Sequence, residues 1–367
     1  MASAAISPAL PTMEEAFQDV PNAGLLVRLV VTITSLTVAV VAPLGGVIAD
    51  RWGRRPVLLL SVILVGGAGS AGFLMDSLPA ILASRALLGL GVAGSITVST
   101  TLIADYYCGR ERDRLMGYQS GLIWLGGVLF SQVGGILADR HWRYPFLLFL
   151  PALLLVPGIL GGISEPTRQQ ADQDPQEQST EAVSLASLAA PYGLAFLRTA
   201  IFFLIVVQLP FYLRALAGAS STQIGTALAV MNLCAGSAGM LYGSISKRHS
   251  LAAIFGGVFL VMAVGYVALG LAAGYAMVLV ALVLAGLSNG LVIPGINLWL
   301  MAGSPPAARG RVIGGLTTAI HLGQFLSPLM VEPLLPRVGL GGSYVLAGGL
   351  LAAVAFVLWR ARVGHGT

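Results

Sequence analysis

The side chains that could do chemistry here are few, and two of them lie inside long apolar runs. Arg85 interrupts the apolar stretch 78–104, and His321 interrupts the stretch 311–335. An arginine that meets lipid costs about 3 kcal/mol, so Arg85 must face a protein interior, and a histidine titrates near neutral pH. His321 is therefore a candidate proton carrier or, alternatively, a hydrogen-bonded packing residue. Arg85 is accounted for structurally if it pairs with a carboxylate or with backbone carbonyls to hold helices together.

A second group of residues is a candidate lining for a substrate pathway, because its members are polar or aromatic and interrupt apolar runs. These residues are Arg28, Gln119, Trp124, Asn232, Asn297 and Gln324, together with His321. Their mixture of aromatic and amide groups suits an amphiphilic small molecule, drug-like or siderophore-like. Arg28 lies near one end of its run, where it could instead extend its cation to water.

Catalysis is not expected from this sequence. No nucleophile, metal-ligand or cofactor constellation is present, so we predict no catalytic residue, no metal, no cofactor and no enzyme activity. Cys108 and Cys234 have neither disulfide nor metal-ligand spacing and are expected to be structural thiols. The net charge of +5 is scattered between apolar runs, which argues against a nucleic-acid partner.

The elements that must position these residues are long apolar segments. The 367 residues are 56% hydrophobic and only 10% charged, far from the composition of a soluble domain. Eleven segments are long enough to cross about 30 Å of hydrocarbon. They lie near 24–49, 57–75, 78–104, 115–138, 144–163, 188–213, 223–246, 251–273, 275–302, 311–335 and 341–359. We predict helices, since the alternative in lipid is a closed barrel, whose strands would alternate with polar residues.

The stretch Met1–Pro11 is mildly apolar but too short to span. As a helix it would cover only about 17 Å. We therefore expect it to be the outer half of a first helix whose N-terminal half is missing from the sequence. The alternative is an extracytoplasmic tail before eleven true spans.

Polar composition divides the chain into two halves. The interval from Glu165 to Ser184 cannot bury a core and is predicted to be a flexible linker. The predicted domains are an N-terminal bundle at 1–163 (a partial first helix plus five spans), a cytoplasmic linker at 164–187, and a C-terminal six-helix bundle with a short tail at 188–367. The bias of arginine and lysine toward one side predicts a multi-pass membrane protein with a cytoplasmic C-terminus. Nineteen arginines against one lysine suggest a GC-rich genome, and we expect the membrane to be a bacterial inner membrane.

An internal repeat supports this organisation. The heptapeptide 45–51, Gly-Gly-Val-Ile-Ala-Asp-Arg, matches 134–140, Gly-Gly-Ile-Leu-Ala-Asp-Arg, almost residue for residue. Under the predicted topology the two copies end on opposite faces of the membrane. That placement is expected of the second and fifth helices in an inverted repeat.

The first copy of the repeat opens a motif that resembles the signature loop of the major facilitator superfamily. The motif consists of Gly46, Asp50, Arg51, Gly53, Arg54 and Arg55. The resemblance implies that Asp50 pairs with charged groups on a helix of the other half and holds an inner gate shut. An ordinary positive-inside loop would explain the arginines but not the spacing of Gly and Asp.

Two further motifs resemble those of the same family. Arg85, Gly89 and Gly91 match its fourth-helix motif, whose arginine is implicated in proton coupling. The fifth-helix antiporter motif, which bends that helix and seals the pathway, is matched by the glycines Gly117, Gly126, Gly134 and Gly135. Its Gly-Pro pair is replaced here by Phe130-Ser131, which puts antiport in doubt. The alternative for these glycines is close helix packing.

The resemblance covers nearly the whole chain. Segments 297–300, 309–318 and 324–328 resemble the twelve-span drug and metabolite exporters, and 7–11 resembles the outer end of the family's first helix. It implies an all-α polytopic membrane protein of two six-helix bundles with inverted repeats. The implied function is proton-coupled efflux of small organic molecules by alternating access, by a monomer whose partners are a small-molecule substrate, protons and the lipid bilayer. Alternatives are a facilitator or importer of a small metabolite, a non-transporting sensor or an inactive truncated form.

Overall fold

The computed structural model describes residues 2–165, 185–305 and 308–363, and every regular element among them is helical. The α-helices are α1 (Ala2–Ile6), α2 (Leu10–Ala16), α3 (Ala23–Trp52), α4 (Arg54–Ala71), α5 (Leu78–Tyr106), α6 (Gly109–Arg140), α7 (Leu155–Gly162), α8 (Leu185–Ala217), α9 (Ser221–Ser246), α10 (Leu251–Gly270), α11 (Tyr275–Ala302), α12 (Arg309–Val331) and α13 (Leu335–Val363). Two 3₁₀ segments, Ser7–Ala9 and Tyr144–Leu154, complete the set. The predicted all-α polytopic fold is therefore confirmed.

Each of the eleven predicted spans contains helix, and ten helical stretches in the described ranges are long and apolar enough to cross a membrane. The eleventh, α12, is long enough but is not among those ten. Its sequence includes two arginines, two threonines, a histidine and a glutamine. Some of these polar groups face the other half of the chain, since the Thr318 hydroxyl donates to the Ala39 carbonyl on α3 at 3.2 Å.

The span at 144–163 is the one irregular crossing. Its first part, Tyr144–Leu154, is a 3₁₀ helix that passes into α7 at Leu155. Pro145 occupies the first turn and Pro151 lies inside, and an internal proline removes a backbone donor from an α-helical ladder. The chain nevertheless stays helical to Gly162.

The N-terminal residues form a short helical segment packed among the longer helices. From Ala5 to Pro11 every residue is buried. The Ser7 hydroxyl donates to the Val206 carbonyl of α8, and Gly134 of α6 lies against the Ala5 backbone. The segment predicted to be the outer half of a first helix is thus helical and interior.

Small residues set the helix spacing. A Cβ added at Gly89 would lie 2.7 Å from the Thr34 carbonyl oxygen of α3. Close backbone approach of this kind is how helices associate where lipid offers no hydrophobic drive. The glycines of the fourth-helix motif therefore pack α5 against its neighbours.

Two helix pairs join the halves of the chain: α3 packs along α12, and α6 packs along α9. We name the two ends of the molecule by the repeat that closes each. The Asp139 end carries the C-terminus of α6 and the N-terminus of α9, and the Arg51 end carries the C-terminus of α3 and the N-terminus of α6. The predicted linker lies mostly at 166–184, outside the described residues.

Candidate functional site

A cavity of about 250 Å³ lies between the two halves. Helices α1, α3, α5, α6, α8, α9 and α12 all contribute to its wall. Its polar and aromatic lining comprises Ser3, Thr34, Ser35, Trp124, Phe202, Phe203, Asn232, His321 and Gln324. The wall is otherwise aliphatic, so the cavity offers a mixed surface to a small organic molecule.

Local hydrogen bonds orient the polar groups of this cavity. The Ser35 hydroxyl of α3 donates to Gln324 Oε1 of α12 at 2.7 Å, which joins the two halves across the site. His321 Nδ1 lies 2.9 Å from the Thr317 carbonyl oxygen one turn earlier in α12. Asn232 Nδ2 donates to the Leu228 carbonyl at 2.9 Å. The histidine is the one lining residue, among those described, whose side chain can take up a proton.

The structure brings together four of the predicted pathway and proton-coupling residues. Trp124, Asn232, His321 and Gln324 line the cavity, whereas Arg28, Gln119 and Asn297 do not. Gln119 Nε2 instead donates to Thr100 Oγ1 at 3.4 Å, and Asn297 is half-buried on α11. A polar residue within an apolar run is expected to face other helices, but the sequence does not tell whether it faces the central cavity or a different helix contact.

Arg28 lies at the Asp139 end, where it connects the two halves. Its Nε is 3.1 Å from Gln208 Oε1 and 3.3 Å from Glu332 Oε2, both in the second half. Its Nη1 is 3.5 Å from Glu14 Oε1, and its guanidinium lies 4.2 Å from the centre of the Phe211 ring. Arg28 is 7% exposed, so it does not extend to water. The buried cation offsets two half-buried carboxylates and bridges α2, α8 and the residue that follows α12.

Asp139 makes the second bridge at this end, by capping α9. The α9 N-terminus has four backbone N–H groups without helical partners. The capping box of Ser220 and Gln223 satisfies the first and the last. Asp139 accepts the other two, from Ser221 N at 2.6 Å and Thr222 N at 3.0 Å. The second copy of the internal repeat thus places a carboxylate on the positive end of a helix in the other half.

The first copy of the repeat leads into a different arrangement at the Arg51 end. Gly53 has a φ of +89°, which a glycine adopts without strain, and it turns the chain from α3 into α4. Arg54 Nε is 3.2 Å from Asp105 Oδ2 of α5. The Arg55 guanidinium donates to the Leu160 carbonyl of α7. These arginine contacts lie within the first half of the chain.

Glu165 caps α4, a role that the sequence did not suggest. Its carboxylate accepts the backbone N–H groups of Arg54 and Arg55, the latter at 3.0 Å. Arg51 is exposed, and Gly46 belongs to α3. The placement of the Asp50 side chain lies outside what the structure describes, so its predicted gate contact stays a prediction.

Arg85 is 1% exposed and is held by backbone and aromatic groups. Its Nη2 donates to the carbonyls of Ala68, at 3.1 Å, and Gly69 at the end of α4. The guanidinium carbon lies 4.7 Å from the centre of the Phe146 ring and 5.1 Å from that of Phe149. No ion pair of Arg85 is found among the described residues. This geometry favours the alternative in which Arg85 holds helices together.

Sequence reasoning missed a second buried arginine, Arg198 of α8. It is 5% exposed and donates to Asn289 Oδ1 of α11 and to Thr199 Oγ1, the latter at 2.9 Å. Its guanidinium lies 5.9 Å from the centre of the ring of Phe202, which lines the cavity. The signal that singled out Arg85, a charge inside an apolar run, was present here too.

The motif glycines occupy contrasting surroundings. A Cβ added at Gly91 would lie 2.7 Å from the Ser61 carbonyl oxygen of α4, and one added at Gly134 or Gly135 would overlap backbone atoms of Ala5 or Ser221. Gly126 is half-buried within α6. A Cβ at Gly117 would meet nothing within 4 Å. The glycines near the Asp139 end therefore permit tight packing, and Gly117 does not.

Curated relatives share part of the chain. The "MFS-type efflux transporter phmH" of Phaeosphaeria nodorum is 35% identical over 124 residues, which are 33% of this chain and 22% of that protein. "Multidrug resistance protein 1" of Bacillus subtilis is 28% identical over 195 residues, which are 52% of this chain and 48% of that protein. The chain thus spans less than half the length of these two relatives.

Solved structures share the fold over nearly the whole chain. A crystal structure of a D-xylose–proton symporter matches with a TM-score of 0.78 at 18% identity, covering 98% of this chain and 94% of that one. The family model described as Major Facilitator Superfamily matches residues 1–328 and 191–366. The chain belongs to the major facilitator superfamily.

Proposed function

We propose that this chain works as a proton-coupled exporter of small organic molecules, which moves its substrate by alternating access across a bacterial cytoplasmic membrane. The observation that best supports this proposal is the cavity between the halves, which is lined by Trp124, Asn232, His321 and Gln324. Efflux and multidrug transport are what the names of the two curated relatives state, and they are proposed here for this chain.

The two halves act as the moving bodies of this mechanism. In the proposal they are bundles at 1–163 and 188–367 joined by a cytoplasmic linker at 164–187, and the C-terminus lies in the cytoplasm. Bridges from Arg28 to Glu332 and from Asp139 to the α9 N-terminus close the Asp139 end, which is the outer end in this orientation. A rocking motion that opens this end must break both bridges.

His321 carries the proton in this proposal. It lines the cavity on α12, three residues from Gln324, which bonds to Ser35 of the other half. Protonation there puts a cation into the substrate site, so substrate and proton compete for it. Arg85 remains a second coupling candidate, although its contacts to carbonyls and rings support a packing role.

Transport by everted membrane vesicles tests the proposal. With an acid interior, the vesicles should accumulate a fluorescent lipophilic cation such as ethidium, and collapse of the proton gradient should abolish the accumulation. His321→Ala should lower gradient-driven uptake about tenfold, while the matched change His249→Ala, at an exposed position between α9 and α10, should leave it unchanged. Uptake that survives gradient collapse would overturn proton coupling.

A facilitator or importer is the second candidate. Two observations favour it: the Gly-Pro pair of the antiporter motif is Phe130-Ser131 in α6, and the fold is shared with a sugar–proton symporter. In this case, uptake into everted vesicles would follow the substrate gradient alone or would need protons moving in the same direction as substrate.

A further inference from the structure

We infer that the gap between α6 and α9 at the Arg51 end admits membrane-dissolved amphiphiles sideways into the central cavity, past a constriction formed by Trp124 and Asn232. This inference rests on the proposed transport function and names its substrate class: molecules with a small polar head and an apolar tail that partition into the bilayer. Three features of the molecule support it: the spacing of the two helices, a wall that the gap shares with the central cavity, and the depth of the gap in the membrane.

The spacing between α6 and α9 widens from the Asp139 end to the Arg51 end. At the Asp139 end the backbones touch, since a Cβ on Gly135 would overlap Ser221 and one on Gly225 would overlap Ser131. Towards the Arg51 end, a Cβ on Gly121 would meet only Met240 Cε at 3.9 Å, and one on Gly117 would meet nothing within 4 Å. The two helices therefore diverge toward the Arg51 end.

Where they diverge, the two helices enclose a cleft of about 540 Å³, here called the α6/α9 cleft. Its lining includes Gly117, Gly121 and Trp124 of α6 and Asn232, Gly236 and Met240 of α9. Several of its side chains are strongly exposed, Met240 at 77% and Leu122 at 63%. An exposed apolar surface of this kind is stable against hydrocarbon and not against water.

Two residues belong to both the cleft and the central cavity: Trp124 and Asn232. The Trp124 Cβ lies 2.9 Å from the position of a Cβ on Gly236, and a Cβ on Gly127 would lie 3.3 Å from Asn232 Cγ. The glycines thus leave room for these two side chains between the helices. A rotation of Trp124 away from Gly236 would join cleft and cavity.

The cleft lies at the depth of lipid tails. Along α6 the last charged residue before the cleft is Arg114, and Trp124 lies ten residues, or about 15 Å, beyond it. Along α9, Met240 lies six residues, or about 9 Å, before the last residue Ser246. Each helix is a candidate membrane span. An occupant therefore comes from the acyl-chain layer.

The polarity of the two spaces matches the two ends of an amphiphile. The polar groups of the cleft are few, chiefly Asn232, Ser237 and the Tyr118 hydroxyl, whereas the cavity adds Ser35, His321 and Gln324. A polar head can bond to the amides while the tail still occupies the cleft. Trp124 supplies a ring face to an apolar or cationic ligand, whereas the Tyr118 ring already has the Arg114 guanidinium 5.3 Å from its centre.

Another apolar groove provides a matched control. It lies between α10 and α13, is lined by Gly256, Gly257 and Trp359 among others, and shares no residue with the central cavity. A Cβ on Gly256 would meet nothing within 4 Å, and one on Gly121 makes only ordinary van der Waals contact. Leucine therefore fits at either position, but only Gly121→Leu fills the α6/α9 cleft.

Two probes with one head group test the route: methyltriphenylphosphonium, which partitions only weakly into the bilayer, and decyltriphenylphosphonium, which partitions strongly; transport of each is counted above its passive permeation into protein-free liposomes. In proteoliposomes, Gly121→Leu should lower transport of the decyl probe at least fivefold and leave transport of the methyl probe unchanged. Gly256→Leu should change neither. Equal losses for both probes, or no loss for the decyl probe, would overturn lateral access.

A spectroscopic measurement keeps the inference testable if neither probe is transported, an outcome that would count against the proposed function. The emission of Trp124 is isolated as the difference between the protein and its Trp124→Phe variant, in bilayers whose acyl chains carry bromine. Bromine should quench this emission, and Gly121→Leu but not Gly256→Leu should reduce the quenching at least twofold. Absence of quenching would show that the cleft is closed to lipid.

Discussion

Arg85 and Arg198 show how a membrane protein keeps a guanidinium in its interior. Each is nearly inaccessible, each donates to neutral oxygens, and each lies beside aromatic rings. A guanidinium is planar and weakly hydrated, so it stacks on rings and donates in several directions at once. Among the residues that the structure describes, dipoles and ring faces rather than a carboxylate stabilise each charge.

Substitution of Arg85 by lysine distinguishes a packing role from a coupling role. Lysine keeps the charge and can donate to carbonyls, but its ammonium has no planar face to stack on the two phenyl rings at the same time. We therefore expect a loss of about 2 kcal/mol in unfolding free energy. This should lower the thermal midpoint in detergent by about 4 °C. Arg360→Lys is the control, since Arg360 also stacks on a ring, that of Phe356, but is exposed.

The two arginine variants separate the hypotheses as follows. Equal midpoints for Arg85→Lys and Arg360→Lys would remove the packing argument. If Arg85→Lys keeps its midpoint yet loses gradient-driven uptake, Arg85 takes part in proton coupling.

The sequence identified the interior position of Arg85 but not its partners. Lipid excludes a bare charge, so an arginine within an apolar run predicts burial, and its side chain is 1% exposed. Its contacts come from Gly69 and from Phe146, which are distant along the chain. Which groups meet depends on how helices rotate against each other, and one sequence does not encode that in any local pattern.

At the scale of elements, α9 depends on the opposite half of the chain for its N-terminal cap. Asp139 accepts both N–H groups that the capping box of Ser220 leaves unpaired. The internal repeat predicted two related helix ends on opposite faces, and it did not predict that the second would cap a helix. That contact needs the register of α6 against α9, which the close approach of Gly135 to the Ser221 backbone sets.

Asp139→Asn should loosen this cap. Asparagine offers one acceptor oxygen instead of two and loses the favourable charge at the helix N-terminus, which together cost about 1 to 2 kcal/mol. We expect hydrogen exchange at the amides of Ser221 and Thr222 to accelerate about tenfold. Asp76→Asn is the control at the same end, because Asp76 pairs with Arg143 while 82% of its side chain is exposed, and such pairs contribute little. Equal acceleration in both variants would contradict the capping role.

The sequence predicted the helical spans correctly where the length of an apolar run is enough to identify one. Each predicted span contains helix, because a stretch of about 20 apolar residues has few other solutions in lipid. The helix α12 shows the limit of this rule, since its polar residues lower its hydropathy although Thr318 and Gln324 face other helices. Helices that line an internal cavity are the ones that hydropathy describes least well.

At the scale of the whole molecule, the Asp139 end is closed and the α6/α9 pair is spread at the Arg51 end. The Asp139 end is held by the bridges of Arg28 and Asp139 and by the exposed pair Arg214–Glu15, whose Arg214 Nη2 and Glu15 Oε1 are 3.3 Å apart. A two-state transporter must offer the reverse arrangement at comparable free energy. Contacts made in one arrangement alone therefore set the balance between the two states.

Gly135→Val should shift this balance toward the state open at the Asp139 end. The added side chain would overlap the Ser221 backbone, so closure of that end would cost more than about 1.4 kcal/mol, equivalent to a tenfold change in population. The reporter is Val38→Cys in the cavity wall, in a background with Cys108 and Cys234 replaced by serine. Its reaction with a membrane-impermeant maleimide should rise about tenfold from the Asp139 side and fall from the other.

Gly243→Val is the matched control for this shift, because Gly243 lies in α9 and a Cβ there would meet nothing within 4 Å. Both variants exchange glycine for valine in a helix, so any effect of helix propensity is shared. Only the variant at the contact between the halves should change the sidedness of labelling. If Gly135→Val raised labelling from both sides equally, the substitution would have loosened the protein without favouring one state, and the two-state mechanism would lose its support.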